Sequence, residues 1–158
     1  MAKVENYMDK FDSPEAFIRA EVIANRGTKN VIDKADLLTL LATTEGYSDD
    51  FEKKTKAEIF DKLVEVMGSS IYDYIPAGVS SWSFQLKFGI TNYDVKKMAK
   101  HGFIRVTGQS EFRKYGTYCI ADTYSPFDYF RLTYEEVHAW LGAHSRKKKN
   151  TASEAALV

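Results

Sequence analysis

The spacing of apolar residues changes along this chain from a helical period to a β-rich pattern, and the change falls at residues 101–102. Before that point, apolar side chains recur every three or four residues behind helix-starting signals such as residues 13–15. After it, residues 103–107 and 112–121 are rich in β-branched and aromatic side chains and flank the turn-forming residues 108–110. Helices followed by an antiparallel β-hairpin place the chain in the α+β class.

The helix signals are specific enough to place individual helices. Capping residues, apolar stripes and terminating glycines predict helices over about residues 13–26, 33–46, 55–68, 71–75, 81–88, 91–100 and 133–141. Residues 1–12 are expected to form a loose polar arm, and residues 128–132 a further extended piece. The pattern therefore predicts a helical amino-terminal region, a helix-turn-helix, a small antiparallel sheet and a closing carboxy-terminal helix.

The composition is that of a globular protein of ordinary domain size. The chain has 158 residues and 44% hydrophobic side chains, which is enough to bury one core. Cys119 is the only cysteine, so a disulfide framework and a cysteine-rich zinc site are excluded. No uncharged run approaches membrane-spanning length, and Glu5, Asp9 and Asp12 stand where a signal peptide would be positive and then apolar. We expect a cytoplasmic protein without membrane contact.

The formal net charge of zero conceals an asymmetry between the two halves. Residues 1–78 carry 10 basic and 15 acidic side chains, a balance of −5, whereas residues 79–158 carry 12 basic and 7 acidic, a balance of +5. We therefore divide the chain into an acidic helical region (1–68), a second domain (69–142) and a basic flexible tail (143–158). A basic excess of this kind is typical of polyanion binding, although a merely solvated face is the alternative.

The order of predicted elements from residue 71 to residue 132 resembles the winged helix-turn-helix fold of DNA-binding regulators. Residues 88–104, Phe-Gly-Ile-Thr-Asn-Tyr-Asp-Val-Lys-Lys-Met-Ala-Lys-His-Gly-Phe-Ile, look like the turn, recognition helix and first wing strand of that family. The resemblance implies a transcriptional regulator or accessory factor that binds double-stranded DNA, with helix 92–100 in the major groove and the hairpin as a wing. Such regulators are commonly homodimers, so a possible homodimer is expected.

Helix 92–100 is two-sided by its spacing alone. At about 100° per residue, Val95, Met98 and Ala99 fall on one side and a tyrosine and three lysines on the other. We predict base contacts from Asn92 and Tyr93 near the helix start, and phosphate contacts from lysines. The predicted DNA-binding residues are Asn92, Tyr93, Lys96, Lys97, Lys100, Arg105, Arg113 and Lys114, of which the last three belong to the hairpin region. Ordinary strand-surface solubility is the alternative for those three.

A second, shorter resemblance lies in the acidic region. Residues 37–41, 46–47 and 53–59 resemble the helix-extension-helix modules of the SAP and Rho amino-terminal type, with Lys-Lys-Thr-Lys-Ala-Glu-Ile leading the second helix. The family tends to have a glycine immediately before these lysines, where this chain has acidic residues and a phenylalanine. The alternative is a plain helical pair that completes the core.

The sequence offers little for catalysis. His101, His138 and His144 have no metal-ligand spacing with one another or with Cys119, and no nucleotide-binding or hydrolase motif is present. Cys119 lies in an apolar β run, where an inert buried thiol is expected. We predict no catalytic residue, no metal site and no cofactor, and we expect that the protein is not an enzyme.

A protein partner is the rival to DNA. The aromatic residues crowding 115–130 suit a core or a dimer interface better than base stacking. The acidic stretch 33–65 could mimic nucleic acid against a basic groove. On this alternative, the chain is a phage or mobile-element interaction module that inhibits a host nucleoprotein enzyme, in the manner of an anti-CRISPR protein.

Overall fold

The computed structural model describes residues 5–24 and 32–145, and within them the protein is an α+β fold. The described residues form seven α-helices: α1 (Pro14–Ile23), α2 (Lys34–Ala42), α3 (Lys56–Met67), α4 (Ser81–Phe88), α5 (Asn92–Lys100), α6 (Pro126–Arg131) and α7 (Tyr134–Ala143). The strands are β1 (Val79–Ser80), β2 (Val106–Lys114) and β3 (Thr117–Tyr124). Short 3-10 helices span Tyr7–Lys10, Asp49–Lys53 and Gly68–Tyr74.

Most predicted helix starts are confirmed, because each is encoded by a local hydrogen bond. Thr55, Thr91 and Thr133 each cap a helix and accept the backbone N–H three residues later in a reciprocal capping box. Ser13 caps α1, with Pro14 in the first turn. Gly89 ends α4 in the left-handed conformation (φ 61°, ψ 47°), which lets the chain turn sharply into α5.

One hydrophobic core contains buried residues from Met8 to Val137, on both sides of residue 68. Its aromatic centre is Phe84 of α4, whose ring lies 5.2 Å from that of Tyr129 and 5.8 Å from that of Tyr124. Edge-on contacts of this kind add to the burial itself. The core therefore fixes α4, β3 and α6 against one another.

Strands β2 and β3 form a hairpin, but the predicted turn at residues 108–110 is wrong. The turn is Tyr115-Gly116, where both residues have positive φ (53° and 78°) and connect Lys114 to Thr117. Two such residues match the twist of a two-residue hairpin. Gly108 instead lies inside β2, at an irregularity in the pairing with β3. The sheet order is β1-β3-β2, all antiparallel.

Gly108 and Gly78 are required by close packing at the base of this hairpin. A Cβ on Gly108 would lie 2.5 Å from the Pro76 carbonyl oxygen, and one on Gly78 would lie 2.2 Å from Thr123 Oγ1. Thr107 Oγ1 also donates a hydrogen bond to the Ala77 carbonyl (3.2 Å). The segment 76–78 therefore holds the two strands where they leave the core.

Two further expectations are corrected. Residues 128–132 are not an extended piece, because Ser125 caps α6 and Pro126 occupies its first turn. Residues 5–12, the described part of the predicted loose arm, are anchored: Asn6 Nδ2 donates to the Ser83 carbonyl (3.2 Å) and Tyr129 Oη (2.8 Å), and Met8 is buried.

The remaining predictions concern the ends of segments. Helix α1 ends at Ile23 and Ala24 is already extended, so the predicted end near residue 26 is wrong. Residues 146–149 of the basic tail lie outside the described residues. Among the described helices, none has the length and apolar character needed to cross a membrane.

Candidate nucleic-acid interface

Helix α5 presents a cationic face because its other face is anchored in the core. Val95 and Met98 are fully buried, which turns Tyr93, Lys96 and Lys100 toward solvent. Tyr93 is 68% exposed. Neither Lys96 nor Lys100 forms an ion pair or hydrogen bond with any described residue, so both ammonium groups remain available to a ligand.

Asn92 lies at the start of α5 beside the start of α4. Its Oδ1 accepts a hydrogen bond from Ser81 Oγ at 2.5 Å, and Ser81 Oγ in turn accepts from Gln85 Nε2 at 3.0 Å. This chain of polar groups ties the amino-terminal ends of the two helices together. Asn92 remains exposed, and Trp82 is an exposed aromatic residue next to Ser81.

Lys97 is turned away from the face formed by Tyr93, Lys96 and Lys100. It is half-buried, and its Nζ donates to the carbonyl oxygen of His144 at the end of α7. The His144 ring stacks on Trp140, with ring centroids 4.1 Å apart. An ammonium group at the carbonyl end of a helix is stabilised by the helix dipole, so Lys97 has a structural partner.

Arg105 lies at the base of the hairpin, immediately before β2. Its backbone N–H donates to Asp128 Oδ2 at 2.9 Å, and its Nη2 lies 3.5 Å from Ser125 Oγ. Asp128 is buried, and its Oδ1 also accepts from Arg131 Nη2 at 3.0 Å. The carboxylate therefore joins α6 to the start of β2, and the Arg105 side chain is held at this junction.

Arg113 and Lys114 lie at the tip of the hairpin, next to the Tyr115-Gly116 turn. Both are exposed, and the Lys114 ammonium lies 5.8 Å from the centre of the Tyr115 ring. The extended chain from Val106 to Lys114 is about 26 Å long. The predicted DNA-binding residues therefore lie at three separate places, which are the α5 face, the junction at Arg105 and the hairpin tip.

The distal part of the hairpin is exposed on the face that bears Tyr118 and Ile120, which are 55% and 56% exposed. Tyr115 at the turn is 95% exposed. Cys119 is half-exposed rather than buried, because this part of β3 projects beyond the core. The expected buried thiol is therefore corrected.

The remaining aromatic residues of this stretch are packed, as expected for core residues. Tyr124 and Tyr129 are buried, and Phe127 and Phe130 are partly buried against the core. Burial raises the pKa of Tyr129 to about 12, and burial lowers the pKa of Lys87, whose ammonium lies 4.4 Å from the Tyr129 ring centre. Lys87 Nζ also donates to the Tyr129 carbonyl oxygen.

Each of the three histidines lies at the end of a helix or contacts one. His101 and His144 follow α5 and α7, with ring centroids 6.0 Å apart, and His138 lies 2.6 Å from the Phe88 carbonyl oxygen through Nε2. Within residues 5–24 and 32–145, no group of three or more His, Cys, Asp or Glu side chains is arranged to hold a metal ion.

Sequence reasoning misses the exposed rings of Trp82 and Tyr115, and the buried Asp128 that joins α6 to the start of β2. The helix phase set by buried Phe84 and Phe88 turns Trp82 outward. Asp128 lies after a serine-proline pair, which is the signal for a helix start and could have identified α6. Comparison with protein-family models, curated proteins and solved structures finds no match to this chain.

Proposed function

We propose that this protein binds double-stranded DNA, with α5 in the major groove and the β2–β3 hairpin as an accessory contact. The observation that carries the proposal is the exposed row of Tyr93, Lys96 and Lys100 on a helix whose opposite face is buried. A single α-helix fits the major groove of B-DNA, where base edges and flanking phosphates are both within reach. The protein would act as a transcriptional regulator or an accessory DNA-binding factor.

The arrangement around α5 supports this role. A short turn links α4 to α5, and the β2–β3 hairpin follows α5, which is the order expected for a helix-turn-helix followed by a wing. Lys96 and Lys100 would neutralise phosphates, while Asn92 and Tyr93 at the start of the helix would contact base edges. Lys97 would contribute to the local potential while it remains bonded to the His144 carbonyl.

The hairpin would add contacts at a distance from the helix. Arg113 and Lys114 are exposed at a tip about 26 Å along the strand from Val106, so they would meet the duplex backbone beyond the groove that holds α5. Arg105 would stay bonded to Asp128 and Ser125, and its exposed side chain would contact phosphates only near the base.

A salt titration of the double variant Lys96→Ala/Lys100→Ala tests the assignment of the helix. Binding to a random-sequence duplex, measured by fluorescence anisotropy, should weaken about tenfold, and the slope of log K against log salt should fall by about 1.8. The matched control is Lys53→Ala/Lys54→Ala, which removes the same charge from the acidic region and should leave the slope near the wild-type value. Equal slopes for wild type and the α5 variant would exclude α5 as the phosphate-binding helix.

A second candidate function rests on the acidic region. Asp49, Asp50 and Glu52 are exposed around the 3-10 helix Asp49–Lys53, whereas Lys54 and Lys62 are paired with Glu58 and Glu65. An exposed acidic surface of this kind would compete with nucleic acid for a basic groove on a host protein. Absence of nucleic-acid binding at low salt, together with retention on a basic partner that Asp49→Lys/Asp50→Lys abolishes, would favour this candidate over DNA.

A further inference from the structure

Within the described residues, no strand lies beyond β2 on its outer side, and only its base, at Thr107 and Gly108, contacts segment 76–78. The sheet order places β2 at one side, paired only with β3, and no other described strand pairs with it. The nine-residue strand contains no proline that would block pairing. A sheet edge of this length offers backbone donors and acceptors to another strand.

The hairpin turn determines which residues direct their backbone groups outward. Lys114 and Thr117 flank the two-residue turn and form its closing hydrogen-bonded pair. Hydrogen-bonded and non-hydrogen-bonded pairs then alternate, so Arg113 and Glu111 direct their N–H and C=O groups away from β3. These two residues supply the outward backbone groups of the edge nearest the turn, and Gln109 continues the series toward the base.

The charges on this edge are complementary to a second copy of the same edge. Antiparallel pairing of two β2 strands about a twofold axis at Phe112 would place Glu111 of each copy opposite Arg113 of the other. Both residues carry outward backbone groups, so the same register satisfies the main-chain hydrogen bonds and pairs opposite charges twice. Registers centred on Glu111 or Arg113 would instead oppose like charges.

The neighbouring side chains extend this match. On β3, Tyr118 lies opposite Arg113 and Ile120 lies opposite Glu111, and both apolar side chains are more than half exposed. In the paired arrangement, the distal parts of the two hairpins would form four adjacent strands, and one face would carry the row Tyr118, Arg113, then Glu111 and Ile120 of the second copy. Two strands without further neighbours are marginally stable, so the distal part of each hairpin would gain stability from the added strands.

We infer that the β2 edge is a self-association surface, through which two copies of this protein form an antiparallel, twofold-symmetric dimer centred on Phe112. The inference does not depend on DNA binding, because it rests on strand geometry and on the charges of Glu111 and Arg113. In the dimer, Arg113 faces Glu111 of the second copy, so Lys114 is the tip cation that remains for the duplex backbone.

Charge reversal with mixing tests the dimer directly. Arg113→Glu places two carboxylates opposite each other at each cross-strand pair, and Glu111→Arg places two guanidinium groups there. Each variant should therefore dimerise at least about tenfold more weakly than wild type. An equal mixture restores opposite charges across the interface, and it should recover a species of twice the 18.0 kDa chain mass. Analytical ultracentrifugation over a dilution series measures all three samples without nucleic acid.

Two further variants separate the edge from the rest of the hairpin. Lys114→Glu changes charge at the adjacent position, on the opposite face, and should leave the dimer intact. Arg113→Pro removes an outward N–H without removing a bond to β3, so it should abolish dimerisation while circular dichroism retains the wild-type fold. The inference is overturned if wild type is monomeric at its highest concentration, if either charge reversal dimerises like wild type, or if the mixture stays monomeric.

Discussion

The two ends of the β2–β3 hairpin have opposite environments although they belong to the same strands. At the base, Tyr124 is 2% exposed, packs on Phe84 and pairs with both neighbouring strands. Toward the tip, Tyr118 is 55% exposed and pairs with Arg113 alone. The base is therefore part of the core, and the tip is a surface that the rest of the protein supports but does not cover.

This difference separates stability from binding. Changes at the base should destabilise the whole protein, because the core, the 76–78 segment and Asp128 meet there. Changes at the tip should leave the free energy of unfolding nearly unchanged and alter only what the hairpin contacts. Three pairs of substitutions, in order of decreasing effect on stability, test this division, and a fourth variant on a surface ion pair provides a reference value.

Tyr124→Ala against Tyr118→Ala compares the same substitution in one strand. Loss of the buried ring should cost about 3 kcal/mol of unfolding free energy, since it leaves a cavity beside Phe84. Loss of the exposed ring should cost less than about 0.5 kcal/mol. Urea denaturation followed by circular dichroism measures both, and equal costs for the two variants would abolish the distinction between base and tip.

Asp128→Ala against Asp122→Ala compares two carboxylates. Asp128 is buried and accepts from the Arg105 N–H and from Arg131, so its loss should cost about 2 kcal/mol. Asp122 lies toward the surface on β3 and accepts from Gln109 Nε2 at 3.3 Å, so its loss should be nearly neutral. Thermal unfolding should show a clear fall in Tm for the first variant, and a fall of the same size for the second would contradict the proposed division.

Gly78→Ala against Gly142→Ala isolates the close packing of segment 76–78. The new methyl group at residue 78 would clash with Thr123 Oγ1, 2.2 Å away, at a cost of about 1 to 2 kcal/mol. At residue 142, inside α7, nothing lies within 4 Å of the added Cβ, so the substitution should stabilise by about 0.5 kcal/mol. Two changes of the same sign in chemical denaturation would show that the base is not tightly packed.

Asp61→Asn provides the reference value for an exposed ion pair. Arg19 donates to both Asp61 oxygens (2.9 and 3.0 Å) and holds the pKa of that carboxyl below its ordinary value of 3.8. The stabilisation is therefore present above pH 3.8 and is lost as pH falls through the lower pKa of the folded protein. The variant should be about 0.5 kcal/mol less stable at neutral pH, because both side chains are largely exposed, and equal to wild type in acid. A difference that is constant with pH would show that the pair contributes no ionic stabilisation.

The sequence predicts those parts of the fold that local interactions determine. Helix starts at Thr55, Thr91 and Thr133 follow from the residue three positions later, and the two-sided character of α5 follows from its spacing. The sequence pattern misplaces the hairpin turn because residues 108–110 have turn-forming composition, whereas the true turn uses Tyr115 at positive φ before a glycine. Gly108 is needed for contact with Pro76, about thirty residues earlier in the chain, and no local pattern reveals that contact.

The same distinction applies to the candidate site. Spacing correctly places Tyr93, Lys96 and Lys100 on one exposed face, because buried residues on the opposite side determine the rotation of the helix. Spacing alone does not distinguish Lys97 and Arg105 from the lysines that lack a partner among the described residues. Lys97 is bonded to the carbonyl of a residue at the end of a distant helix, and the Arg105 N–H is bonded to a buried aspartate. The exposure of the distal part of β3 could not be predicted from the sequence, because a projecting strand and a buried strand can have the same apolar composition.

The most direct test of DNA binding is fluorescence anisotropy of the wild-type protein with labelled duplex DNA, single-stranded DNA and RNA of equal length at several salt concentrations. Binding through α5 predicts preference for the duplex and a slope of log K against log salt that reflects at least the two phosphate contacts of Lys96 and Lys100, about −1.8. Absence of binding to all three at low salt would contradict it.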